Sequence, residues 1–435
     1  MRKAKMLALG AVLALVVAAC GDDGTGGPAP VEGPILIGAD GLLSDTYVSI
    51  PETQGMYFSG PALSDVEGYK TFVGKYEAKA GKGPIQAFHA HAYDAINMLM
   101  AVVEQVGQTA GDGTVTISRQ ALRDALYATE GYAGLTGSLS CNTFGDCAQP
   151  AVSVYQNVDP AEGIGGVFSN VVFTSAPEGV EGKTGPDPTQ GAAKTNATVT
   201  IDPSDPIKIA SLQAISGAVA SLGTDQVTAM QVAIEDKGGE LLGHPIELVS
   251  EDDLCAAEGG QTGAEKIVAD DQIVGVVGTS CSGAAAAAMP ILENAGYVMI
   301  SGSNTSPGLT ATGYLDEGDL VQGENWHYGF FRTAHNDEFQ GQGSAQFVFE
   351  NLEITKAATI NDGDPYTEGL TTQFEKFFTQ FGGEIVKSTA INKGDTDMRP
   401  VLTSIQAEDP EAIYFPIFQP EGDFVVKQAK EVFVS

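Results

Sequence analysis

The residues best suited to chemistry lie between Gly278 and Thr305, in the run GTSCSGAAAAAMPILENAGYVMISGSNT. Hydroxyl side chains gather near both of its ends, with Thr279, Ser280 and Ser282 at one and Ser301, Ser303 and Thr305 at the other. Ser282 opens what the Ala-rich composition makes a helix. Unbonded N–H groups and the helix dipole at Ser282, Gly283 and Ala284 favour an anion there. Two such loops side by side would hold a small carboxylate. A plainer reading of the first loop is a βα turn capped by Ser282. A nucleophilic Ser282 is a third, but no Gly-x-Ser-x-Gly elbow surrounds it and the sequence indicates no base beside it.

The elements around this run show how the loops would be positioned. Residues 273–278, IVGVVG, form a short β-branched run and read as a buried strand. The helix extends to Asn294 and Gly296 stops it. Residues 297–301, YVMIS, make a second strand, followed by the loop Gly302-Ser303-Asn304-Thr305. Both hydroxyl loops thus fall at strand carboxyl ends, where open α/β sheets bind ligands.

The same alternation runs through the second half of the chain. Residues 207–213 read as a strand, 217–222 as a loop, 224–237 as a helix, 244–253 as a strand and 258–269 as a helix. Beyond the central unit, residues 326–333 are extended and 338–352 helical. Strands at 356–362, 384–392 and 412–418 alternate with helices at 365–382, at 398–407 and from Gly422 onward, this last cut off at Ser435. Upstream, residues 34–41 form a strand running into a loop that carries Asp40, and residues 55–61 form another. Helical spacing marks 65–79, 93–106 and 119–128. Residues 135–155 alternate about a Gly-Asp pair, as a hairpin does. Residues 176–204 are rich in Gly, Pro and Thr without periodicity and read as a linker. The fold class is therefore α/β, with parallel sheets covered by helices on both faces.

At 435 residues, 43% of them hydrophobic, the chain suits two or more lobes with real cores. Acidic residues number 56 against 22 basic ones, for a net charge of −34, which disfavours nucleic acid and anionic lipid as partners. No apolar run reaches the roughly 18 residues of a membrane span. Arg2, Lys3 and Lys5 precede an apolar run that ends Val17-Ala18-Ala19-Cys20, the pattern of an export signal over residues 1–20. The Cys directly after small residues resembles a bacterial lipoprotein signal, which makes Cys20 the lipidated residue and a lipid anchor the only membrane contact. Residues 21–33 read as a flexible tether. The other four cysteines suggest two disulfides in an exported chain, with Cys141 near Cys147 and with Cys255 and Cys281 at the ends of neighbouring strands. A metal site is the alternative, without Cys-x-x-Cys or His-Cys spacing to support it. His89 and His91 stand two apart at a helix start and point different ways, which suits a surface or cleft-edge role better than a metal. Asp362 and Asp364 near Tyr366 are explained by an Asp-Gly-Asp-Pro turn.

Residues 207–435 resemble the amino-terminal two thirds of the type I periplasmic binding proteins, in the leucine/isoleucine/valine-binding branch. The resemblance rests on SLQAISGAVASLG, SEDDLCAAEGG, GTSCSG, MISGSNTSPGLT, NDGDPYTEGL and IYFPIFQPEGD. Residues 34–173 resemble that family's carboxyl-terminal third, through ILIGADGL, FVGKYEAKAG, AFHAHAYDAINML and GLTGSLSCNTFGDCAQPAVSVYQ. The order is exchanged, so the chain resembles a circular permutant whose usual termini are joined by residues 176–204. Residues 34–175 then contribute to both lobes, 205–330 to the first and 331–435 to the second, with crossover strands as a hinge. The resemblance implies an amino acid held between two closing lobes. Ser282 and Thr305 would each supply a hydroxyl and an N–H to its carboxylate, and Ser303 a carbonyl to its ammonium. Asp40, where the family has Glu, would face the ammonium, while Leu222, Tyr366 and Phe418 would line the side chain. A Cys255–Cys281 bridge would pin the Ser282 loop. The implied function is a lipid-tethered, exported receptor that delivers a branched-chain or related amino acid to the permease of an ABC transporter, with no cofactor and no catalysis. Sensing through the same cleft, or binding of an amide, urea or an aromatic acid, is the alternative.

Overall fold

The computed structural model describes residues 33–63, 67–176 and 197–433. The export signal, Cys20 and nearly all of the tether lie outside these residues, as does residues 177–196 of the expected linker. The described chain forms two α/β lobes. One is built on a six-stranded sheet in the order Glu240–Leu241, His244–Asp252, Ile207–Gln213, Ile273–Gly278, Met299–Ser301 and Phe330–Arg332. Every neighbouring pair is parallel except the first, short one. Ile273–Gly278 is buried along its whole length because both faces are covered, which is why it reads as an unbroken apolar run. Helices Ala257–Ala269 and Ser282–Asn294 pack against each other beside it.

The other lobe has seven strands, ordered Glu384–Ala390, Lys356–Asn361, Ala412–Tyr414, Ile35–Gly38, Tyr57–Pro61, Val152–Gln156 and Val171–Ser175. The first five run parallel and the last two are antiparallel additions. The first strand of the described chain thus lies beside the last, with Ile35 opposite Ala412 and Ile37 opposite Tyr414. Gly33 comes so close to the final helix, Glu421–Phe433, that a Cβ placed on it would stand 3.1 Å from the Phe433 Cβ.

The chain changes lobe four times: between Tyr57–Pro61 and helix Glu67–Ala80, between the short strand Gly137–Leu139 and Val152–Gln156, between Val171–Ser175 and Thr198–Ile201, and between Phe330–Arg332 and helix Asp337–Gln346. The second and fourth of these crossings are tied together. Asp146 pairs with the buried Arg332, and Cys147 N donates to Arg332 O at 3.1 Å. The sulfur atoms of Cys141 and Cys147, and those of Cys255 and Cys281, stand at bonding distance.

Several sequence expectations need correction. Residues 135–155 are not one hairpin. Tyr132–Gly134 pairs with Gly137–Leu139 around a turn held by Asp94, which accepts from the N–H groups of Leu135 and Thr136. Val152–Gln156 then joins the other lobe beside Tyr57–Pro61. The end of the expected linker is ordered: Thr198–Ile201 pairs antiparallel with Val115–Ser118 and buries Val199 and Ile201. Helices His89–Val106 and Ala220–Asp236 each begin four residues earlier than expected, so Leu222 is helical rather than in a loop. The helix expected over residues 338–352 ends at Gln346 and passes into a π turn, Phe347–Asn351. His89 and His91 are buried rather than at a surface or cleft edge. His89 bonds the Gln86 carbonyl and the Tyr69 hydroxyl, each at 2.8 Å.

Candidate functional site

Ser282 is the first residue of its helix, after an N-cap, Cys281, whose side chain makes no capping bond. Helix geometry leaves the N–H groups of Ser282 and Gly283 without carbonyls inside the helix, since Ala284 and Ala285 are the first to bond back, to Cys281 O. The Ser282 hydroxyl accepts from Ser306 N at 3.3 Å, which joins the two hydroxyl loops directly. The Cys255–Cys281 pair and Asp253 hold the turn from below. Asp253 accepts from Cys255 N at 2.7 Å and Ser280 N at 2.6 Å. Burial pushes the Asp253 carboxyl up to about 7, against the pull of those backbone bonds.

The second loop is held from both sides. Ser303 donates its hydroxyl to Ser280 O at 2.8 Å and accepts from Gln226 Nε2 at 3.0 Å. Arg332 Nη1 donates to Asn304 O at 3.0 Å and Ser306 O at 2.8 Å, bracketing Thr305. Arg332 Nε goes to Asp146 and Nη2 to the Thr310 hydroxyl. Thr305 is fully buried, and its hydroxyl faces the Asp337 carboxyl. Its carbonyl accepts from Asp337 N at 3.0 Å.

Asp40 comes from the other lobe, just past the carboxyl end of Ile35–Gly38. It is 4% exposed. Its Oδ1 accepts from Gln340 Nε2 at 2.6 Å and from the Tyr366 hydroxyl at 3.1 Å. Burial raises the carboxyl to about 6, partly countered by those bonds. Tyr366 also accepts from Gly41 N at 3.1 Å and lies against Phe418, their ring centroids 5.1 Å apart. Leu222, Tyr366 and Phe418 belong to one apolar cluster that also takes in Ala214, Cys255 and Cys281 from the first lobe. The lobes therefore meet across the cleft.

That meeting is close at the Ser282 helix. A Cβ on Gly283 would stand 2.7 Å from Asp364 Oδ2. Asp364 caps the helix Pro365–Phe381 by accepting from Tyr366 N at 3.0 Å, and pairs with Lys393 at 2.8 Å. Asp362 accepts from Asp364 N at 3.0 Å, forming the turn expected of Asp-Gly-Asp-Pro.

Sequence reasoning missed three residues of the site. His335, Asp337 and Gln340 follow the strand Phe330–Arg332 at its carboxyl end. One donor atom each of Asp40, His335 and Asp337 lies within 4.8 Å of the others. Gln340 links two of them, donating to Asp40 and accepting from His335 Nε2. Asp337 is fully buried. Burial and the charge of Asp40 hold the Asp337 carboxyl well above the usual carboxylate range, against Arg332 and the facing Thr305 hydroxyl. The signal was available: residues 333–340, the mostly polar run TAHNDEFQ, occupy the same strand-end position that singled out Ser282 and Thr305.

Two hydroxyl loops at strand ends thus face an acid from a second lobe, across a cleft between two lobes that the chain crosses repeatedly. The periplasmic binding protein family profile matches residues 10–155 and 206–435. The chain belongs to that family. It is 31% identical over 229 residues to the leucine-, isoleucine-, valine-, threonine-, and alanine-binding protein of Pseudomonas aeruginosa, covering 52% of this chain and 58% of that one. The leucine-specific-binding protein of Salmonella typhimurium is 32% identical over 229 residues, with the same coverage. Among solved structures, the branched-chain amino acid transporter substrate binding protein LivJ of Streptococcus pneumoniae, in complex with isoleucine, is 28% identical. The TM-score is 0.45, with 53% of this chain and 62% of that one covered. The matches thus span less than two thirds of these relatives' lengths. The family and these relatives are binding proteins, which removes the reading of Ser282 as a nucleophile.

Proposed function

We propose that the chain is the solute receptor of an ABC transporter and binds a branched-chain or related small amino acid between its lobes. The observation that carries this reading is the meeting of opposite needs in one cleft. The Ser282 helix start and the buried Thr305 hydroxyl suit a carboxylate, while Asp40 suits an ammonium. Thr305 and Asp40 reach each other through Asp337, whose N–H is held by the Thr305 carbonyl. Leu222, Tyr366 and Phe418 offer the apolar wall for the side chain. The amino-acid names of the curated relatives point the same way. A ligand that bridges both lobes stabilises the closed arrangement by its differential affinity for it.

The same proposal includes export, with lipid attached at Cys20 as the membrane tether and the permease as partner. It also includes a permuted gene order. Ile35–Gly38 beside Ala412–Tyr414, and Gly33 against Phe433, support a join that runs from the last helix to the first strand in the family's usual order.

Isothermal titration of the purified protein against aliphatic amino acids, amides, urea and benzoate tests the ligand class. Saturable heat with leucine, isoleucine or valine at one ligand per chain is the expected result. Saturation by an aromatic acid alone, or heat with none of the panel, refutes it.

A further inference from the structure

Met299–Ser301 and Phe330–Arg332 are neighbours in one sheet, yet residues 302–329 separate them. Beyond the ligand loop this excursion forms a small ribbon, with Ala311–Thr312 antiparallel to Val321–Gln322. Its base belongs to the first lobe. Gly323 N donates to Thr310 O at 2.9 Å and Asn325 N to Gly308 O at 2.8 Å. Leu309 packs in the first lobe's core with Met299 and Phe330. The tip belongs to the second lobe. Glu338, near the start of helix Asp337–Gln346, is fully buried and turns its carboxylate to the ribbon. It accepts from Gly313 N at 2.8 Å, Tyr314 N at 3.0 Å and Leu315 N at 3.3 Å. Lys376, in helix Pro365–Phe381, pairs with Asp316 at 2.8 Å and stands 3.6 Å from Glu338. Under the ribbon lies a separate small apolar core. Tyr314 and Leu320 meet Phe339 and Val152 of the second lobe there, with Phe144 from a crossing segment. The Tyr314 hydroxyl also bonds Asp146 and accepts from Asn142 Nδ2, in the same crossing.

We propose that residues 310–326 are a strap that limits how far the two lobes open, and that Glu338 acts through it as a positioning residue for ligand affinity. The affinity role rests on the amino-acid reading above; the limit on opening does not. Pulling the tip off the second lobe would strand a buried carboxylate and three backbone donors, which is costly. The tip therefore travels with the second lobe and the base with the first. The joint between them falls at Gly313, whose φ of +91° suits glycine and few other residues. The base begins directly behind the ligand loop. Thr310 accepts from the same Arg332 whose guanidinium holds the carbonyls on either side of Thr305. A strap of fixed length keeps more of the ligand-free molecules near the closed arrangement. Apparent affinity falls with the fraction that is not competent to bind, so a loosened strap weakens binding without losing a ligand contact. The loss then lies mainly in faster dissociation.

The test compares the whole wild-type protein with Glu338→Ala, Glu338→Gln and Lys376→Ala. Amide hydrogen exchange at Gly313–Leu315 reports release of the tip, and X-ray scattering of the ligand-free protein reports opening. Glu338→Ala should exchange faster there, have a larger ligand-free radius of gyration and return to the wild-type radius in saturating leucine. Its leucine affinity should fall by up to about ten-fold, with most of the change in the dissociation rate measured by stopped flow. Glu338→Gln keeps an acceptor oxygen and should recover most of each difference. Lys376→Ala should show the same changes at smaller size, and it decides alone should Glu338→Ala not fold. Fast exchange at the tip with a wild-type ligand-free radius overturns the strap, as does wild-type exchange in Glu338→Ala. A wider ligand-free state with wild-type leucine affinity overturns the affinity role of Glu338 and supports the limit on opening. If the wild-type protein binds none of leucine, isoleucine and valine, the affinity role falls with the amino-acid reading, while scattering and exchange still decide the strap.

Discussion

The Thr305 hydroxyl is the single group of the second loop best placed to meet a ligand. It is buried, its loop is clamped by Arg332 on both sides, and the Asp337 carboxyl is the protein group it faces. Removing it should leave the fold alone and weaken the ligand. Hydrogen bonds to a charged partner contribute roughly 1.5–3 kcal/mol, so Thr305→Ala should lower affinity by about 10- to 100-fold with an unchanged thermal midpoint. Titration calorimetry beside a melting curve measures both, and wild-type affinity would take Thr305 out of the site. Asp40, Ser282 and Thr305 were legible because each follows a recognisable strand. Asp337 was not, because its place beside Asp40 is set by a contact between distant segments, which has no sequence pattern.

Among the elements, the Ser282 helix is placed by its neighbour. Gly260, in Ala257–Ala269, lies where a Cβ would come 2.1 Å from the Ala284 carbonyl oxygen. Gly260→Ala must therefore push the two helices apart. Overpacking of this kind costs typically 1–3 kcal/mol, so the urea midpoint should drop, and ligand affinity should drop with it because the Ser282 turn moves. An unchanged midpoint would mean the helices have slack at this contact. Element identities were well read wherever a buried strand makes an unbroken apolar run. Helix starts were less so, for a specific reason. The two placed four residues late follow Phe88 and Val219, N-caps without a side-chain bond, so no start signal exists there. The turn at Leu135 and Thr136 depends on Asp94, some forty residues upstream, and no local pattern reports it.

The whole molecule carries a pH signature from its buried acids. Asp253 at about 7, Asp40 at about 6 and Asp337, also raised well above its ordinary value, bind protons more tightly folded than unfolded, where the usual value is 3.8. Their contribution to stability is complete below about 4 and is lost as pH rises through those folded values. His91 and His335 act oppositely. Their folded values lie below 6.5, so their contribution is present above 6.5 and is lost as pH falls toward 4 and 3. Above pH 6.5 the histidines are silent and the acids decide. The thermal midpoint of the ligand-free protein should therefore fall between about pH 6.5 and pH 8, and calorimetric melts across that range would show it. A rearranged gene that places residues 197–433 before 33–176 should fold and bind the same ligand with unchanged affinity. Failure of that chain to fold would argue against the permuted order.

By itself the sequence determined the α/β class, the strand-end loops bearing Ser282 and Thr305, and the acid at Asp40. The class and the loops follow from local apolar runs and the hydroxyls directly beside them, while the part expected of Asp40 came from the family resemblance. Only the tertiary structure decided that Thr198–Ile201 joins a sheet, that residues 135–155 divide between two lobes, and that Asp337 and His335 stand beside Asp40. Those facts arise from contacts between segments far apart in the chain, where the balance of burial against unpaired charge is settled by neighbours that no local pattern names.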